Sequence, residues 1–380
     1  MQVEKLNDRV DIVRYLKELG VDSGGVAIMA AKARHHILFI RSLHVGAANI
    51  LKQDALSIGA DLAVPRGTVI AATKEVDCIL IATQRQLELL SKKEAAQPFG
   101  LKEVAKEFAK IASGKKTWHV ELMGVLNAND DSFFAASRFS EKNALVKLHG
   151  MIEDGADIID IGGVSSRPNS LYVGEDEELE RLRDILEVIR MHRLHEKVRF
   201  SLDSYAPKVI EYALDCGFSI VNDITGLEND EVCKLCARYG ATAVIMHMQG
   251  SPQTMQVDPV YTNILSDIGD FFARRIEKAE SFGVKDIVLD VGIGFGKTLE
   301  HNLMLLGHHE HFIRFNKPLL VGASRKSMIN AIVPSRIEER LPGTLAIHLE
   351  AVRNGASIIR VHDVKEHYQA LQVQKAIHSI

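Results

Sequence analysis

The sequence has few cysteines, no excess of basic residues and no long apolar run. Four cysteines in 380 residues are too few for the disulfide framework of a small secreted protein. Lys and Arg number 46 against 50 Asp and Glu, so the basic excess typical of general nucleic-acid binders is missing. No apolar stretch reaches the ~20 residues that span a bilayer, and the first residues lack the apolar core of a secretory signal. These absences predict a cytoplasmic protein that binds neither nucleic acid nor membranes.

A recurring pattern organises the chain from about residue 116 onward. A helix-like amphipathic run ends at Gly and a small or apolar residue, and a short aliphatic run then ends in polar residues. Gly in the left-handed conformation commonly ends a helix, and a continuous apolar run is typical of a strand buried on both faces of a parallel sheet. The glycines of the pattern are Gly155, Gly217, Gly240, Gly283 and Gly355.

Three further apolar segments complete a set of eight strands. They are 120–126, 198–203 and 318–322. Eight βα units within residues 116–380 match the size of a TIM barrel, which is about 250 residues. We therefore predict an α/β fold in which 116–380 form a TIM (β/α)8 barrel, with a doubly wound open sheet as the alternative.

Residues 1–115 are predicted to be a separate small α/β or α+β module. Their patterns indicate helices near 10–19, 50–58 and 101–111, and strands at 37–40, 68–73 and 77–82. The polar segment 113–117 is interpreted as a linker. The module contains no catalytic constellation, so we expect it to pack against the barrel or to form a dimer.

Three short motifs suggest cofactor or metal sites but are better explained structurally. Cys233 and Cys236 form a C-x-x-C in the middle of a predicted helix, without a second cysteine pair. The tract 308–311, His-His-Glu-His, falls where a helix should leave the barrel, which favours a solvated helix end over a zinc site. The glycines of 292–296 have the spacing of neither a P-loop nor a dinucleotide fingerprint. We interpret that loop as one that lets the backbone approach a flat ligand, with Phe295 against its face.

Polar residues follow every predicted barrel strand, at the end where TIM-barrel active sites lie. The acceptor groups suit the N–H-rich edge of a purine-like or pterin-like ring. They belong to Asp203, Asn222 and Asp290. The donor groups suit a phosphate or a carboxylate. They belong to Arg167, Lys326, Arg360 and His362. The sequence therefore predicts one site for a heterocycle and an anion.

The motifs at these strand ends resemble those of dihydropteroate synthases, pterin-binding TIM-barrel enzymes of bacterial folate biosynthesis. The matching segments are 123–127, 131–133, 161–168, 201–204, 220–224, 246–250, 292–297, 320–327 and 359–364. The resemblance leaves out residues 1–115. It implies a transferase of a sulfonamide-targeted class, which joins p-aminobenzoate to 6-hydroxymethyl-7,8-dihydropterin diphosphate and releases pyrophosphate and 7,8-dihydropteroate.

The resemblance also implies roles for individual residues. The pterin would contact Asp203, Asn222, Met246, Asp290, Phe295, Gly322, Lys326 and Arg360. The diphosphate would be held by Asn127, Ser166, Arg167, Arg360 and His362, with Mg²⁺ bridging Asn127 and phosphate oxygens. The p-aminobenzoate would lie among Phe133, Arg167, Pro168, Lys326 and Ser327. The residues expected to carry catalysis are Asp203, Asp290, Lys326 and Arg360. The partners implied are these small molecules and a second copy of the chain in a homodimer.

The first barrel loop departs from the family pattern. The family usually has Asn-Val-Thr-Pro-Asp-Ser-Phe-Ser-Asp, whereas this chain has Asn127-Ala-Asn-Asp-Asp-Ser-Phe-Phe-Ala135. Asn129 and Asp130 thus replace the Thr-Pro pair, and Ala135 replaces the second acid. Two alternative functions stay open. One is a corrinoid methyltransferase that binds methyltetrahydrofolate in a related barrel, and the other is a paralogue that binds pterins without turnover.

Overall fold

A computed structural model of the chain describes residues 3, 4, 6, 10–114, 119–127, 141–164, 173–251 and 253–378. The chain divides into two compact units. The first comprises 1–115, 314–316 and 375–380, and the second comprises 116–313 and 317–374. None of the helices in these described ranges is long and apolar enough to cross a membrane.

The first unit is built on a three-stranded antiparallel sheet of order β1-β3-β2. Its elements are α1 (Ile12–Glu18), α2 (Ser23–Ala33), β1 (His35–His44), α3 (Val45–Ser57), β2 (Asp61–Ala63), β3 (Glu75–Thr83), α4 (Gln84–Lys93) and α5 (Leu101–Ser113). Side chains alternate along β3, so that Leu80 is buried with Leu51 of α3 and Phe108 of α5, whereas Ile79 and Ile81 are exposed. One face of the sheet therefore forms the core of this unit.

The sequence patterns predicted five of these elements and misplaced one. The helices α1, α3 and α5 and the strands β1 and β3 are confirmed. The strand predicted at 68–73 is wrong, because Thr68–Ile70 form a 3-10 turn. The turn is flanked by Gly67 at φ 91° and Ala71 at φ 52°, and left-handed residues interrupt an extended chain. Helices α2 and α4 and the short strand β2 were not predicted.

The second unit contains a closed barrel of eight parallel strands. They are β4 (Glu121–Asn127), β5 (Ile158–Gly162), β6 (Arg199–Asp203), β7 (Ile220–Asp223), β8 (Thr242–Met246), β9 (Ile287–Asp290), β10 (Leu319–Val321) and β11 (Ile358–Val361). Each strand pairs with the next, and β11 pairs with β4. This closure confirms the TIM barrel and excludes the open sheet.

Helices alternate with the barrel strands. They are α6 (Glu141–Glu153), α7 (Glu175–Met191), α8 (Pro207–Asp215), α9 (Asp230–Tyr239), α10 (Ile264–Ser281), α11 (Leu299–Gly307), α12 (Ser327–Ile332), α13 (Leu341–Arg353) and α14 (Val364–His378). A buried apolar layer fills the barrel interior between the strands. Its members are Met123, Ile158, Ile220, Val244, Val288, Leu320 and Ile358. This layer forms the apolar floor beneath the polar strand ends.

Two of the three motifs interpreted as structural have different outcomes. Cys233 and Cys236 are buried, unbonded thiols in α9, and burial raises the pKa of Cys236 to about 12. The solvated helix end expected at 308–311 is wrong for His309, which is fully buried. It begins a 3-10 segment, His309–Phe315, and lies against the ring of Phe312. No group of three or more His, Cys, Asp or Glu in the described ranges is arranged to hold a metal ion.

Candidate active site at the carboxyl ends of the barrel strands

The parallel register brings the predicted site residues to one end of the barrel. Asp203 of β6 lies opposite Asn222 of β7, and Met246 of β8 lies opposite Asp290 of β9. The remaining described members are at or just beyond the ends of β4, β10 and β11. They are Asn127, Gly322, Lys326, Ser327, Arg360 and His362. Phe133, Ser166, Arg167 and Pro168 lie outside the described residues, as do the altered loop positions Asn129, Asp130 and Ala135.

One arginine joins two carboxylates from different strands. Nε of Arg360 donates to Oδ2 of Asp160 at 2.6 Å, and its Nη2 donates to Oδ2 of Asp203 at 2.8 Å. The Asp160 side chain is fully buried, whereas that of Arg360 is 22% exposed. Charge-assisted hydrogen bonds of this kind hold a guanidinium in a defined orientation. Arg360 is therefore fixed at the barrel mouth with part of its surface accessible.

Asp160 is a site residue that the sequence reasoning missed. It lies in the middle of β5, and its Oδ2 also accepts a hydrogen bond from Nδ2 of Asn222 at 3.2 Å. The strand pattern placed it in an apolar run, where an acid can be taken for an interruption of the core. The useful signal was chemical, because a carboxylate in a strand buried on both faces requires a partner.

Burial and charge shift the proton affinities of this cluster. Burial raises the pKa of Asp203 to about 7, with Arg360 opposing the shift and the Asp160 carboxylate adding to it. The pKa of Arg360 is raised by Asp160 and Asp203 even though burial acts in the opposite direction. The arginine is thus always charged, and its charge opposes the effect of burial on the Asp203 carboxylate.

Asp290 lies at the start of the glycine-rich loop and is tied to it. The amide of Gly292 donates to Oδ1 of Asp290 at 2.8 Å, and burial raises the pKa of this carboxyl group. Gly292, Gly294 and Gly296 all have positive φ, at 66°, 82° and 61°. A Cβ atom at Gly292 would lie 2.1 Å from the carbonyl oxygen of His247. The glycines thus permit close packing against the loop after β8.

Lys297 is a second residue that the sequence reasoning did not single out. Its Nζ donates to the carbonyl oxygens of His247 at 3.2 Å and Phe295 at 2.8 Å, and lies 3.1 Å from Nδ1 of His247. Burial lowers the pKa of Lys297 to about 7 and that of His247 to about 2. Lys297 therefore links the loops after β8 and β9 from inside the barrel.

Phe295 and Lys326 meet across the mouth. Nζ of Lys326 lies 4.2 Å from the centre of the Phe295 ring, within the range of a cation–π interaction. A Cβ atom at Gly322 would lie 3.6 Å from Cβ of Arg360, an ordinary van der Waals distance, so the backbone at Gly322 lies directly beside the arginine side chain. An aromatic face, an ammonium group and a guanidinium thus border the same opening.

The group at the end of β11 is a neutral histidine. Nδ1 of His362 lies 2.9 Å from Oγ of Ser324, and burial, Arg360 and Arg325 lower the pKa of His362 to about 4. A neutral imidazole still donates one hydrogen bond. His362 can therefore contribute to anion binding through an N–H group, while the charge comes from Arg360.

The fold and the site define a pterin-binding enzyme. Residues 123–362 match the family model described as pterin binding enzyme. The dihydropteroate synthase of Escherichia coli is 40% identical over 261 residues, which are 68% of this chain and 92% of the relative. The bifunctional dihydropteroate synthase/dihydropteroate reductase of Helicobacter pylori is 39% identical over 377 residues, 99% of each chain.

Solved structures agree with these sequence matches. The Yersinia pestis dihydropteroate synthase with a sulfonamide drug is 37% identical, with a TM-score of 0.65 over 69% of this chain and 95% of that one. The Thermus thermophilus enzyme in complex with 4-aminobenzoate is 39% identical, with a TM-score of 0.61 over 68% and 95%. The chain belongs to the dihydropteroate synthase family, whose members are transferases of folate biosynthesis. This confirms the assignment made from the strand-end motifs.

Proposed function

We propose that the barrel joins p-aminobenzoate to 6-hydroxymethyl-7,8-dihydropterin diphosphate and releases pyrophosphate. The observation that carries this proposal is the cluster at the barrel mouth, where Arg360 is shared by Asp160 and Asp203 and Asn222 bonds the same Asp160 oxygen. The cluster combines acceptors for a heterocycle with a permanent cation for an anion. The 4-aminobenzoate bound to the Thermus thermophilus relative supports the second substrate.

The pterin is proposed to bind over the buried carboxylates. Asp203, Asn222 and Asp290 would accept hydrogen bonds from its ring N–H groups, and Met246 and Phe295 would border its faces. As the bond between the exocyclic methylene and the diphosphate breaks, positive charge develops on the ring. Carboxylates held in a dry site stabilise such charge without reorganising. This gives Asp203 and Asp290 their catalytic role.

The diphosphate is proposed to lie toward β4 and β11. Arg360 and His362 would donate to its oxygens, together with Ser166, Arg167 and Asn127. Asn127 is the last residue of β4, and its side-chain amide oxygen is a hard oxygen ligand. This fits Mg²⁺, which commonly binds through few protein ligands and several phosphate oxygens. When bound there with the substrate, Mg²⁺ would neutralise charge on the leaving pyrophosphate.

The p-aminobenzoate is proposed to approach past Lys326. Phe133, Pro168, Arg167 and Ser327 would border its ring and carboxylate. After the diphosphate has left, the aniline nitrogen would attack the electron-poor methylene carbon, and the nitrogen would then lose a proton to water. Positioning and electrostatic stabilisation account for this step without a side-chain nucleophile.

Release of pyrophosphate from purified full-length protein tests the synthase proposal. Both substrates with Mg²⁺ should give pyrophosphate and dihydropteroate in equal amounts. Lys326→Met should lose most of this turnover, whereas Lys317→Met, which removes an exposed ion pair with Glu280, should keep it. Binding of the pterin diphosphate by calorimetry without pyrophosphate release would select the non-catalytic paralogue. Methyl transfer from methyltetrahydrofolate to a corrinoid would select the methyltransferase.

A second activity is favoured by one comparison. The Helicobacter pylori relative, named as a bifunctional synthase/reductase, matches 99% of this chain, including residues 1–115. The Escherichia coli synthase matches 68%. We therefore propose dihydropteroate reduction as a candidate role of the first unit, beside the packing or dimerisation role expected from the sequence. The reaction would add a hydride and a proton across a C=N bond of the dihydropterin ring, at the expense of a hydride donor.

A separate assay, the formation of tetrahydropteroate, tests the reductase proposal. Full-length protein is incubated with 7,8-dihydropteroate and reduced nicotinamide or reduced flavin, and tetrahydropteroate is measured. Formation of tetrahydropteroate at a rate proportional to enzyme supports the second activity. Normal pyrophosphate release without tetrahydropteroate from either donor contradicts it and leaves the synthase proposal intact.

We also propose that the protein is a cytoplasmic homodimer without nucleic-acid or membrane partners. The net charge of −4 supports the absence of a general nucleic-acid partner. The dimer is checked by size-exclusion chromatography with light scattering, where a mass near 42.1 kDa rather than twice that value would contradict it.

A further inference from the structure

Helix α13 binds the backbone of the loop that follows β10. The amide of Ala323 donates to Nε2 of His348 at 3.1 Å, and the amide of Arg325 donates to Oγ1 of Thr344 at 3.0 Å. Thr344 and His348 are four residues apart and fully or almost fully buried, so they lie on one face of α13. Gly322 and Lys326 are proposed pterin contacts. Helix α13 therefore fixes the backbone of the segment between them through two hydrogen bonds.

A second helix continues this contact. Nδ1 of His348 lies 2.9 Å from Nε2 of His367 on α14, and Nδ1 of His367 lies 2.6 Å from the carbonyl oxygen of Asp363. The Asp363 carboxylate accepts a hydrogen bond from Nε of Arg325 at 3.0 Å. The series of contacts therefore begins at Ala323 and ends at Arg325, so both of its ends lie in the loop after β10.

The Ala323 amide and the Asp363 carbonyl, at the two ends of this series of hydrogen bonds, determine which nitrogen of each histidine carries a proton. The Ala323 amide is a donor, so Nε2 of His348 accepts and its Nδ1 carries the proton. That N–H donates to Nε2 of His367, whose own Nδ1–H donates to the Asp363 carbonyl. Both rings are therefore neutral and in the Nδ1–H form. An added proton on either ring would place two donors face to face.

The surroundings also disfavour a charged pair. Burial is the main cause that lowers the pKa of both imidazoles, and His362 adds to the effect at His348. The charged groups that act on His367 are Asp363 and Glu366, which oppose the shift. Arg325, on the β10 loop, is paired with Asp363.

We infer that His348 and His367 are positioning residues, which hold the backbone at Ala323 so that Gly322 and Lys326 keep their places at the barrel mouth. The inference rests on the proposed synthase function. It extends that function because neither histidine borders the opening. Their contribution is transmitted through a backbone amide whose only described acceptor is an imidazole nitrogen.

Three variants of the full-length protein test the kinetic consequence. His348→Leu removes the acceptor, and we expect kcat/KM for the pterin diphosphate to fall about tenfold, the effect of one lost buried hydrogen bond. His348→Gln keeps an amide oxygen in reach of Ala323 and should recover most of that loss. His309→Leu is the matched control, because His309 is equally buried but precedes β10 at the opposite end of the barrel.

The kinetic result separates positioning from bulk stability. We expect His309→Leu to leave kcat and KM of the folded protein unchanged, whatever its effect on the unfolding temperature. If His348→Leu shows the same pattern, with only stability reduced, the inference is wrong. Should His348→Leu fail to fold, the comparison is made between wild type, His348→Gln and His367→Gln.

A measurement independent of turnover completes the test. Nitrogen-15 spectra of protein labelled at histidine report the protonated ring nitrogen, and the wild type should show two Nδ1–H rings that disappear in turn in the two Gln variants. An Nε2–H form at either position would overturn the inference. A wild type that shows both Nδ1–H rings but releases no pyrophosphate would instead contradict the proposed function.

Discussion

Arg360 and Asp160 form a hydrogen-bonded ion pair of 2.6 Å between β11 and β5, and Asp160 has no contact with solvent. These strands are separated by β4 in the barrel, so the pair connects strands that do not share backbone hydrogen bonds. Arg360 is also bonded to Asp203. The orientation of the guanidinium therefore depends on a residue that is fully buried in this structure.

The first prediction concerns this pair. Asp160→Asn removes one of the two charges that orient Arg360 and leaves the guanidinium less well paired. We expect the free energy of unfolding to fall by about 2 kcal/mol, typical of a hydrogen bond to a buried charged group, and kcat/KM to fall with it. Urea unfolding and initial rates measure the two effects. Asp286→Asn, an exposed acid before β9, is the control, and equal behaviour of the two variants would contradict the prediction.

The second prediction concerns the glycine loop. Gly292→Ala would place a Cβ atom 2.1 Å from the His247 carbonyl oxygen at a φ of 66°, so the loop must shift. Because the same residue donates to Asp290, we expect a loss of activity larger than the loss of stability. Gly307→Ala introduces a methyl group with no atom within 4 Å and a normal φ, and should behave as wild type. Full activity of Gly292→Ala would contradict this account.

The third prediction concerns a buried acid in the first unit. Burial and the neighbouring Asp54 raise the pKa of Glu94 to about 7, above its unfolded value, so Glu94 favours folding at low pH and this contribution is lost as pH rises through 7. Glu94→Gln should remove this loss. It should stabilise the protein by up to about 3 kcal/mol at pH 8.5, at about 1.4 kcal/mol for each pKa unit.

The matched control for Glu94 is Glu103→Gln on the exposed surface of the same unit. Its stability should differ little from wild type, because exposed ion pairs contribute little. Urea unfolding at pH 5, 7 and 8.5 measures all three proteins. A wild type whose stability does not decrease between pH 5 and pH 8.5 relative to Glu94→Gln would refute the prediction.

The fourth prediction concerns acid pH. The folded-state pKa values of His348 and His367 are lowered, so the unfolded chain binds more protons below about pH 6.5 and stability falls as pH decreases through that value. His348→Gln should reduce this slope between pH 6.5 and pH 5. Thermal unfolding over that range measures the slope, and identical slopes in variant and wild type would argue against it.

The barrel was predictable because its signal is local. Five of the eight strands are short apolar runs that follow a Gly at the end of a helix, and this pattern lies in consecutive residues. The site residues at the strand ends followed from the same pattern, since parallel strands bring their carboxyl ends together. Predicting Asp203, Asn222 and Asp290 as site residues required no knowledge of contacts between distant parts of the sequence.

The failures had two causes, one a contact between distant residues and the other local conformation that a hydrophobic pattern does not register. Asp160 looks like a break in an apolar strand until Arg360, 200 positions later, is placed beside it. His309 looks solvent-exposed within a polar tract until its packing against Phe312 is known. The segment 68–73 contains β-branched residues typical of a strand. The positive φ angles of Gly67 and Ala71 prevent an extended conformation there. The contact between Asp160 and Arg360 has no periodicity in the sequence, and the other two errors depend on backbone conformation and burial that residue type alone does not indicate.

The close approach of His247 and Gly292 has a consequence for how this enzyme can be varied. Backbone atoms of residues 247–249 occupy the space that side chains at 292 and 296 would need. The loops after β8 and β9 therefore tolerate change only as a pair. A library that randomises the second loop alone should return glycine at both positions, whereas one that also shortens the first loop should admit asparagine, which tolerates the positive φ of 66° at position 292 and 61° at position 296.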